Sequence, residues 1–307
     1  MSRIAILGAT SQIARDLIPR LANQHELALF SRRPEAISFW LARRSVPLPV
    51  KVEEFDTFSS GSYDAVVNFV GIGDPARCAA MGREILDATL SIDDLVLSYL
   101  EKNPTVRYLF MSSGAVYGTT FSEPASKTTP TRLMINDFKN SEYYSFSKIS
   151  AEIRHRMRQD LAIFDIRIFN YFSRTQDLRQ RFFLSDIVRS IVDGETLRTT
   201  DEYIVRDFID QRDFSHLVLN LLSCEPANTP VDCYSLATID KPSILKIAAQ
   251  EFGLKYEVSS NGGGAPVMTG HKTHYYSTWR KAADFGYIPE WDSATSITEE
   301  ISAVIGR

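Results

Sequence analysis

The chain opens with the stretch Arg3-Ile4-Ala5-Ile6-Leu7-Gly8-Ala9-Thr10-Ser11-Gln12-Ile13-Ala14, and this stretch decides the fold. An apolar run ends at Gly8, and the residues that follow begin a segment of helical character. A glycine turn between a strand and a helix is where a dinucleotide pyrophosphate binds, because backbone N–H groups and the helix N-terminus face it. We therefore predict cofactor contacts from Gly8, Thr10, Ser11, Gln12 and Ile13.

Only Gly8 remains of the three glycines that are usual in such a turn. Ala14 is a mild replacement, because the last glycine serves close packing of the helix. Ser11 is the more serious one, because it puts a side chain where the backbone approaches phosphate; its hydroxyl can donate a hydrogen bond instead. A plain strand-to-helix turn without a ligand remains the alternative.

Short apolar runs alternate with helical stretches through the first half of the chain. These runs are continuous, as expected for a parallel sheet with helices on both faces. They are residues 4–7, 27–30, 65–70, 108–111 and 163–169. The predicted fold class is α/β, a doubly wound parallel Rossmann sheet with a smaller C-terminal α/β substrate lobe. Residues 1–170, with contributions from 205–225, form the NAD(P)-binding domain, and residues 171–307 form mainly the substrate lobe.

The composition excludes several classes of partner. The 307 residues are 44% hydrophobic and 23% charged, which is typical of a globular chain, and the net charge of -4 gives no basic field for nucleic acid. No apolar run reaches bilayer length, and the N-terminus enters a strand directly, so we expect a cytoplasmic protein without a membrane segment. The cysteines Cys78, Cys224 and Cys233 lack zinc-type spacing, and we predict no metal site. The glycine-rich residues 259–264 are interpreted as a loop.

Two arginines follow the second predicted strand, in Phe30-Ser31-Arg32-Arg33-Pro34. An acidic residue at this place binds the ribose diol of NAD, whereas guanidinium groups suit the 2'-phosphate of NADP. Contacts from Arg32 and Arg33 therefore favour NADP as the cofactor, with NAD as the second choice. A solvated loop with two incidental arginines is the alternative.

A serine pair and a Tyr/Lys pair carry the candidate chemistry. Ser112 and Ser113 stand at the carboxyl end of a buried strand, the edge at which open parallel sheets bind ligands. Tyr144 and Lys148 are four residues apart in a helical stretch, so their side chains share a face. We expect the ammonium group to lower the pKa of the phenol toward neutrality. The alternatives are a turn-capping serine and an exposed tyrosine beside a solvated lysine.

Taken together, these segments resemble the extended short-chain dehydrogenase/reductase superfamily, in the branch of nucleotide-sugar epimerases, dehydratases and reductases. Five motifs in order carry the likeness, which extends over nearly the whole chain. They are the Gly8 turn, Ser112-Ser113-Gly114-Ala115-Val116-Tyr117-Gly118, Tyr144 with Lys148, Arg167-Ile168-Phe169-Asn170-Tyr171, and Arg206-Asp207-Phe208-Ile209-Asp210.

The resemblance implies a role for each matching residue in catalysis. Ser113 matches the residue that orients and polarises the substrate oxygen, and Ser112 then has a supporting role. Tyr144 matches the acid/base, and Lys148 matches the residue that lowers its pKa and holds the nicotinamide ribose.

The resemblance also implies binding residues. Asp56 matches an adenine contact, and Gly71 follows a strand whose backbone lines the cofactor. Asn170 and Arg206 match positions that face the nucleotide-sugar substrate, and the arginine suits a diphosphate. The alternatives are a strand-end cap for Asn170 and an ion pair of Arg206 with Asp207 or Asp210.

Three departures from the family pattern limit the prediction. The helix at about 85–100 lacks the asparagine that many relatives use, which puts a proton-relay role there in doubt. Tyr171-Phe172-Ser173-Arg174 replaces the usual Tyr-Gly-Pro, so we expect a remodelled loop on the substrate side. Gly114-Ala115 stands where dehydratases carry Asp-Glu, which argues against elimination.

We therefore predict an NAD(P)-dependent oxidoreductase that acts on a nucleotide-linked sugar, as a keto-sugar reductase with Tyr144 as the acid/base. A nucleotide-sugar epimerase with tightly bound NAD is the alternative. A non-catalytic NAD(P)-sensing Rossmann protein is the alternative of another class, although such proteins generally lack the Tyr and the Lys. Family resemblance also implies a homodimer, formed by the helix at 85–100 and the Tyr144 helix.

Overall fold

The computed structural model describes residues 1–44, 46, 50–73, 75–259 and 272–306, and its central element is a seven-stranded sheet. The strands in this part of the chain are β1 (Arg3–Leu7), β2 (Glu26–Phe30), β3 (Val50–Glu53), β4 (Ala65–Asn68), β5 (Arg107–Ser113), β6 (Ile163–Ile168), β7 (Asn170–Tyr171), β8 (Thr196–Thr200), β9 (Val205–Arg206), β10 (Phe208–Ile209), β11 (Asn228–Asp232), β12 (Ile239–Asp240), β13 (Lys255–Ser259) and β14 (His274–Tyr275). The α-helices are α1 (Gln12–Leu21), α2 (Pro34–Ala42), α3 (Pro75–Met81), α4 (Glu84–Lys102), α5 (Tyr143–Arg156), α6 (Phe183–Asp193), α7 (Gln211–Ser223), α8 (Lys241–Phe252) and α9 (Ser293–Ile305).

The main sheet has the order β11-β6-β5-β4-β1-β2-β3, and all of its pairs are parallel. The strand order reverses between β1 and β4, which is the switch point beside which open α/β sheets bind ligands. Both faces of the sheet are apolar: Ile4 and Ile6 of β1 pack into one core cluster, and Ala5 and Leu7 into the other. This confirms the predicted doubly wound Rossmann sheet.

A smaller lobe contains the helices α6, α8 and α9. Its core includes Leu184, Ile187, Ile244, Ile297 and Ile301, which come from all three helices. Short strands surround this core, with β10 beside β7, β13 beside β8, and β9 between β12 and β14. The predicted C-terminal α/β lobe is therefore present, while most of the glycine-rich residues 259–264 lie outside the described residues.

One strand of the main sheet comes from beyond the predicted boundary of the NAD(P)-binding domain. Strand β11 pairs in parallel with β6 and forms an edge of the main sheet, although it follows residue 225. Its sequence, Asn228-Thr229-Pro230-Val231-Asp232, has no continuous apolar run and contains a proline. Edge strands tolerate proline because one side needs no hydrogen-bond donor. The apolar-run criterion therefore could not find β11.

None of the helices in the described part of the chain is both long and apolar enough to cross a bilayer.

Candidate active site

The turn after β1 has room for a glycine alone at Gly8. Its φ is +74°, and a Cβ there would lie 2.9 Å from the carbonyl carbon of Phe69 and from the nitrogen of Val70. The N–H groups of Gly8 and Ala9 both donate to the carbonyl of Phe30, at 3.0 and 3.1 Å. The turn thus gathers the ends of β1, β2 and β4 at one point, beside the N-terminus of α1, as a pyrophosphate site requires.

Ser11 caps α1 with its side chain. Its Oγ accepts a hydrogen bond from the N–H of Ala14 at 3.2 Å, so the replacement of a glycine brings a helix cap. Ala14 is fully buried, in agreement with a packing role. The predicted contact residues Gly8, Thr10, Ser11, Gln12 and Ile13 all remain partly accessible at this turn.

A buried carboxylate connects α1 with the chain beyond β6. Asp16 accepts hydrogen bonds from the hydroxyls of Tyr171 at 2.8 Å, Ser173 at 2.6 Å and Thr175 at 2.8 Å. Gln12 also donates to the Ser173 hydroxyl, at 3.0 Å. Burial raises the pKa of Asp16, and the three hydroxyls act against that shift. The segment that departs from the family's Tyr-Gly-Pro therefore supplies two of the three hydroxyls that hold this acid, and Thr175, directly after it, supplies the third.

A cavity of about 360 Å³ opens at the end of β2. It brings Arg32 and Asp56 together, two residues predicted to bind the adenosine end of a cofactor. The residues that line it are Ser31, Arg32, Pro34, Glu54, Phe55 and Asp56. A cavity at the carboxyl edge of the sheet, with a guanidinium and a carboxylate on its wall, suits an adenosine group.

Arg33 belongs to a neighbouring group of cations. The pKa of Arg15 is lowered by burial and then by the nearby charges of Arg33 and Arg44, while Asp16 acts in the opposite direction. Clustered positive charges favour a bound anion between them. The sequence pattern found Arg33 but missed Arg15 and Arg44, because the start of α1 and the end of α2 meet only in the fold.

Ser113, at the end of β5, faces two tyrosines. Its Oγ accepts a hydrogen bond from the N–H of Ala115 at 3.2 Å and lies 3.3 Å from the hydroxyl of Tyr275. The Ser113 hydroxyl also lowers the pKa of the Tyr144 phenol, against the larger effect of burial. Tyr144 stands in the first turn of α5, which is tied to the residues after β5 by a hydrogen bond from the Ser145 hydroxyl to the Ala115 carbonyl. The structure therefore brings Ser113 and Tyr144 together.

Lys148 reaches from α5 to the end of the sheet and is only 3% exposed. Its Nζ donates to the carbonyl of Met111 at 2.8 Å and lies 4.5 Å from the centre of the Phe110 ring. A Cβ on Gly71 would lie 3.1 Å from this nitrogen, so the glycine leaves the ammonium open toward the predicted cofactor side. Burial lowers the pKa of Lys148 to about 8.

The pKa of Tyr144 shifts opposite to the predicted direction. We expected Lys148 to lower it, but burial raises it, and the hydrogen bond with Ser113 only partly counters this shift. The Lys148 ammonium donates its hydrogen bond to the Met111 carbonyl, and burial lowers the pKa of this ammonium as well. The phenol therefore keeps its proton at neutral pH.

Asn170 and Arg206 both bind backbone carbonyls on the substrate side. The Asn170 Nδ2 donates to the carbonyls of Asp207 and Tyr275, each at 3.2 Å. The Arg206 Nη1 donates to the carbonyls of Val205 and Lys272, at 2.8 and 2.7 Å. Both side chains thus hold β14 in place.

The alternative ion pairs of Arg206 do not form among the described residues. The carboxylate of Asp210 pairs instead with Arg212 at 2.8 Å. Asp207 accepts a hydrogen bond from the backbone N–H of Ser235 at 2.9 Å. Arg206 therefore forms no ion pair with either of them, and the carboxylate of Glu202 favours its charge against the larger effect of burial.

Lys272 adds a second cation beside Arg206. Its Nζ lies 4.4 Å from the centre of the Tyr275 ring, and the Arg206 guanidinium lies 5.9 Å from the same ring. Burial, and then the charge of Arg206, lower the pKa of Lys272 to about 8; burial lowers the pKa of Arg206 to about 10. Lys272 and Tyr275 belong to none of the quoted motifs, so no spacing pattern predicted them.

Charged networks lie buried beneath the site. Glu152, one turn after Lys148, accepts from the Ser112 hydroxyl at 2.6 Å and pairs with Arg167. His155 lies between Asp93, at 2.8 Å, and Asp165, at 2.6 Å. Burial disfavours the charged imidazole, but the two carboxylates outweigh it and raise the pKa of His155 to about 9.

A family model described as the NAD dependent epimerase/dehydratase family matches residues 4–232. No protein of curated function matches the chain in sequence.

Solved structures of nucleotide-sugar enzymes share the whole architecture. A UDP-N-acetylglucosamine 4-epimerase from Methanobrevibacter ruminantium is 15% identical, with a TM-score of 0.82 over 99% of this chain and 98% of that one. A UDP-glucose 4-epimerase from Thermotoga maritima is 14% identical, with a TM-score of 0.78 over 98% and 97% of the two chains. A dTDP-glucose 4,6-dehydratase from Bacillus anthracis is 13% identical, with a TM-score of 0.75 over 98% and 96%. At these identities, the likeness establishes the fold.

Proposed function

Because the chain belongs to the NAD-dependent epimerase/dehydratase family, as its resemblance to the extended short-chain dehydrogenases/reductases predicted, we propose that it reduces a nucleotide-linked keto-sugar with NADPH. The bound cofactor supplies a hydride to the carbonyl carbon, and the substrate oxygen receives a proton. The products are the sugar alcohol and NADP⁺. The observation that carries this proposal is the convergence of Ser113, Tyr144 and Lys148 at the carboxyl edge of the sheet.

The protonation state of Tyr144 supports the reductive direction. A phenol whose pKa is raised by burial holds its proton at neutral pH and is ready to donate it. Ser113 holds the substrate oxygen within hydrogen-bond reach, and Lys148 stands at the ribose side beside Gly71. Oxidation of a sugar alcohol, the first step of an epimerase, needs the opposite state, a phenolate that accepts a proton.

The cations on the substrate side support a nucleotide-sugar. Arg206 and Lys272 are close enough for the charge of one to lower the pKa of the other, and both are depressed by burial. A diphosphate would neutralise both cations and offset the free-energy cost of burying their charges. We propose that Arg206 and Lys272 bind the diphosphate and that Asn170 supports them by holding the strand on which Tyr275 lies.

The arginines at the adenosine end support NADP over NAD. Arg32 lines the cavity, and Arg33 lies in the group with Arg15 and Arg44. A 2'-phosphate offers the negative charge that suits several guanidinium groups at once. NAD remains the second choice, in agreement with the family description.

An epimerase with tightly bound NAD is the second candidate, and the family match is the observation that favours it. It would use the same residues and would additionally require the keto intermediate to rotate before the hydride returns. Native mass spectrometry of the purified protein separates the two: retained NAD indicates the epimerase, and readily exchanged NADP indicates the reductase.

The decisive experiment compares Tyr144→Phe with Tyr143→Phe. The control residue is the preceding tyrosine, whose ring packs against Phe138. Oxidation of NADPH by a panel of nucleotide-linked keto-sugars is followed by absorbance. We expect Tyr144→Phe to lose about 10²- to 10⁴-fold in turnover with unchanged NADPH affinity. Tyr143→Phe should retain the turnover of the wild type. Turnover that survives in Tyr144→Phe would remove this residue from the proton-transfer role.

The cofactor assignment is tested separately. The double variant Arg32→Ala/Arg33→Ala should bind NADPH more weakly and NADH as before. Unaltered NADPH affinity would show that the 2'-phosphate does not bind there.

We also propose a homodimer through α4 and α5, which pack side by side. Ile153 on α5 and Met157 directly after its end are 57% and 77% exposed and offer an apolar outer face. Ile153→Glu should give a monomer in size-exclusion chromatography with light scattering. Val192→Glu, at a 60% exposed site on α6, is the control and should leave the mass unchanged.

The compartment stays a proposal as well. None of the three cysteines, all of which lie in the described part of the chain, forms a disulfide, and this supports the proposed reducing, cytoplasmic compartment.

A further inference from the structure

We propose that Tyr275 is a positioning residue for the catalytic serine: its hydroxyl donates to the Ser113 Oγ and thereby directs the serine proton toward Tyr144 and the substrate oxygen. This inference rests on the proposed function and adds a residue that no motif of the chain includes. The carrying observation is the distance of 3.3 Å between the Tyr275 hydroxyl and the Ser113 Oγ.

The Ser113 hydroxyl can form a limited number of hydrogen bonds. Such a group has one proton to donate and two lone pairs to accept with. The N–H of Ala115 occupies one lone pair of Ser113, at 3.2 Å. If Tyr275 donates to the second lone pair, the serine proton must point away from both of these donors, toward a third group. We infer that this group is the Tyr144 phenol, on whose pKa the Ser113 hydroxyl acts.

The protonation state of Tyr275 agrees with a donor. Burial raises the pKa of its phenol, and the hydrogen bond with Ser113 and the charge of Arg206 only partly counter this. Tyr275 therefore holds its proton at neutral pH. A hydroxyl in this state can fix the serine without competing for the substrate proton.

The Tyr275 side chain is held from several directions. Its backbone pairs with Arg206 across β9 and β14, and its carbonyl accepts from the Asn170 side chain at 3.2 Å. The rings of Phe121 and Phe169 lie 4.8 and 5.2 Å from its ring centre. A group fixed in this way loses little conformational entropy when it orients another, which is how preorganised sites keep their geometry.

Tyr275 and Ser113 belong to different sheets. Ser113 lies at the end of β5 in the main sheet, whereas β14 pairs with β9 outside that sheet. The serine proton is therefore set only while β14 is in place against the sheet edge.

The test is a double-mutant cycle between Tyr275→Phe and Ser113→Ala, with kcat and hydride transfer in single turnovers as readouts. Tyr275→Phe removes one oxygen from a ring that its aromatic neighbours continue to hold. We expect kcat to fall about 10-fold to 100-fold with unchanged NADPH affinity, since the serine orientation matters in the chemical step alone. In the Ser113→Ala background, the same change should have no further effect, because its target is gone.

The matched control is Tyr276→Phe, the next residue, whose ring lies against His274 instead; it should retain kcat. Full turnover in Tyr275→Phe, or an equal loss in the presence and absence of Ser113, would overturn the inference. The proposed function has a different failure: Ser113→Ala and Tyr144→Phe would then retain turnover. Loss of turnover in those two variants, with full activity in Tyr275→Phe, would refute only the role of Tyr275.

Discussion

Helix α5 carries two buried bases about two turns apart, Lys148 near its middle and His155 near its C-terminal end, and their environments shift their pKa values in opposite directions. Lys148 is 3% exposed and His155 is 0% exposed. The pKa of Lys148 is lowered to about 8, whereas the pKa of His155 is raised to about 9. Burial acts against the charge in both cases, so the neighbours make the difference.

The neighbours differ in charge. Lys148 meets a carbonyl oxygen and the face of a phenylalanine ring, which bind a cation without neutralising it. His155 meets the carboxylates of Asp93 and Asp165. No carboxylate among the described residues forms a direct ion pair with Lys148, and Asp93, Glu152 and Asp165 favour its charge only from a longer distance. A buried cation that lacks a direct counter-charge costs stability, and such groups concentrate at sites that bind or react. The comparison therefore assigns Lys148 to the proposed active site and His155 to the stability of the fold.

Removal of the Lys148 charge should have the largest effect, and it should appear in activity. We expect Lys148→Met to lose about 10³-fold in turnover, because the ribose contact and the support of Tyr144 are removed together. The free energy of unfolding should change by no more than about 1 kcal/mol, because the lost hydrogen bond is offset by removal of a disfavoured charge. Steady-state kinetics and urea unfolding measure both; Lys246→Met, an exposed change on α8, is the control. Unchanged turnover would break the comparison.

Removal of the His155 charge should instead appear in stability. His155→Gln leaves Asp93 and Asp165 buried without their shared cation, so we expect a loss of about 3–5 kcal/mol in urea unfolding. The kcat of the folded fraction should stay unchanged. Arg158→Gln is the control: it removes a surface pair with Glu101 and should cost less than about 1 kcal/mol. A small loss for His155→Gln would show that the imidazole is not the compensating charge.

The two bases also predict opposite slopes of stability against pH. The pKa of His155 is about 9 in the folded chain and 6.5 ordinarily, so its contribution is complete below pH 6.5 and is lost as pH rises through 9, by roughly 3 kcal/mol. The pKa of Lys148 is about 8 against 10.5 ordinarily, so its penalty disappears between pH 8 and 10.5. Urea unfolding from pH 6 to 9 measures the first slope. A slope that persists in His155→Gln would assign it to other groups.

The smallest effect concerns the group of Arg15, Arg33 and Arg44, in which the like charges outweigh the opposing effect of Asp16 on the pKa of Arg15. We expect Arg44→Gln to weaken NADPH binding by about tenfold or less, with NADH binding unchanged, because one of several cations is removed. Arg43→Gln is the control, since that neighbour packs over the Phe39 ring, 4.3 Å from its centre. Fluorescence titration measures both affinities. Equal weakening in the two variants would indicate a general charge effect.

The sequence predicted those features that local patterns determine. The apolar runs identified the main strands, and the glycine turn, Ser113, Tyr144 and Lys148 lie where continuous motifs placed them. The residues that the sequence did not predict have one property in common: their partners lie far away in the chain. No local spacing pattern can therefore indicate them. They are Arg15, Arg44, Lys272 and Tyr275. The direction of the Tyr144 pKa was wrong for a related reason, because burial and the Met111 carbonyl are set by tertiary packing.

The Asp16 carboxylate also constrains how the two halves of the molecule can move. It is held by hydroxyls from Tyr171, Ser173 and Thr175, so any sliding of α1 past residues 171–175 would break several bonds to a buried acid. These two segments must travel as one rigid piece. A cleft that opens to admit substrate therefore has to bend elsewhere along the backbone, and its hinge lies outside both segments.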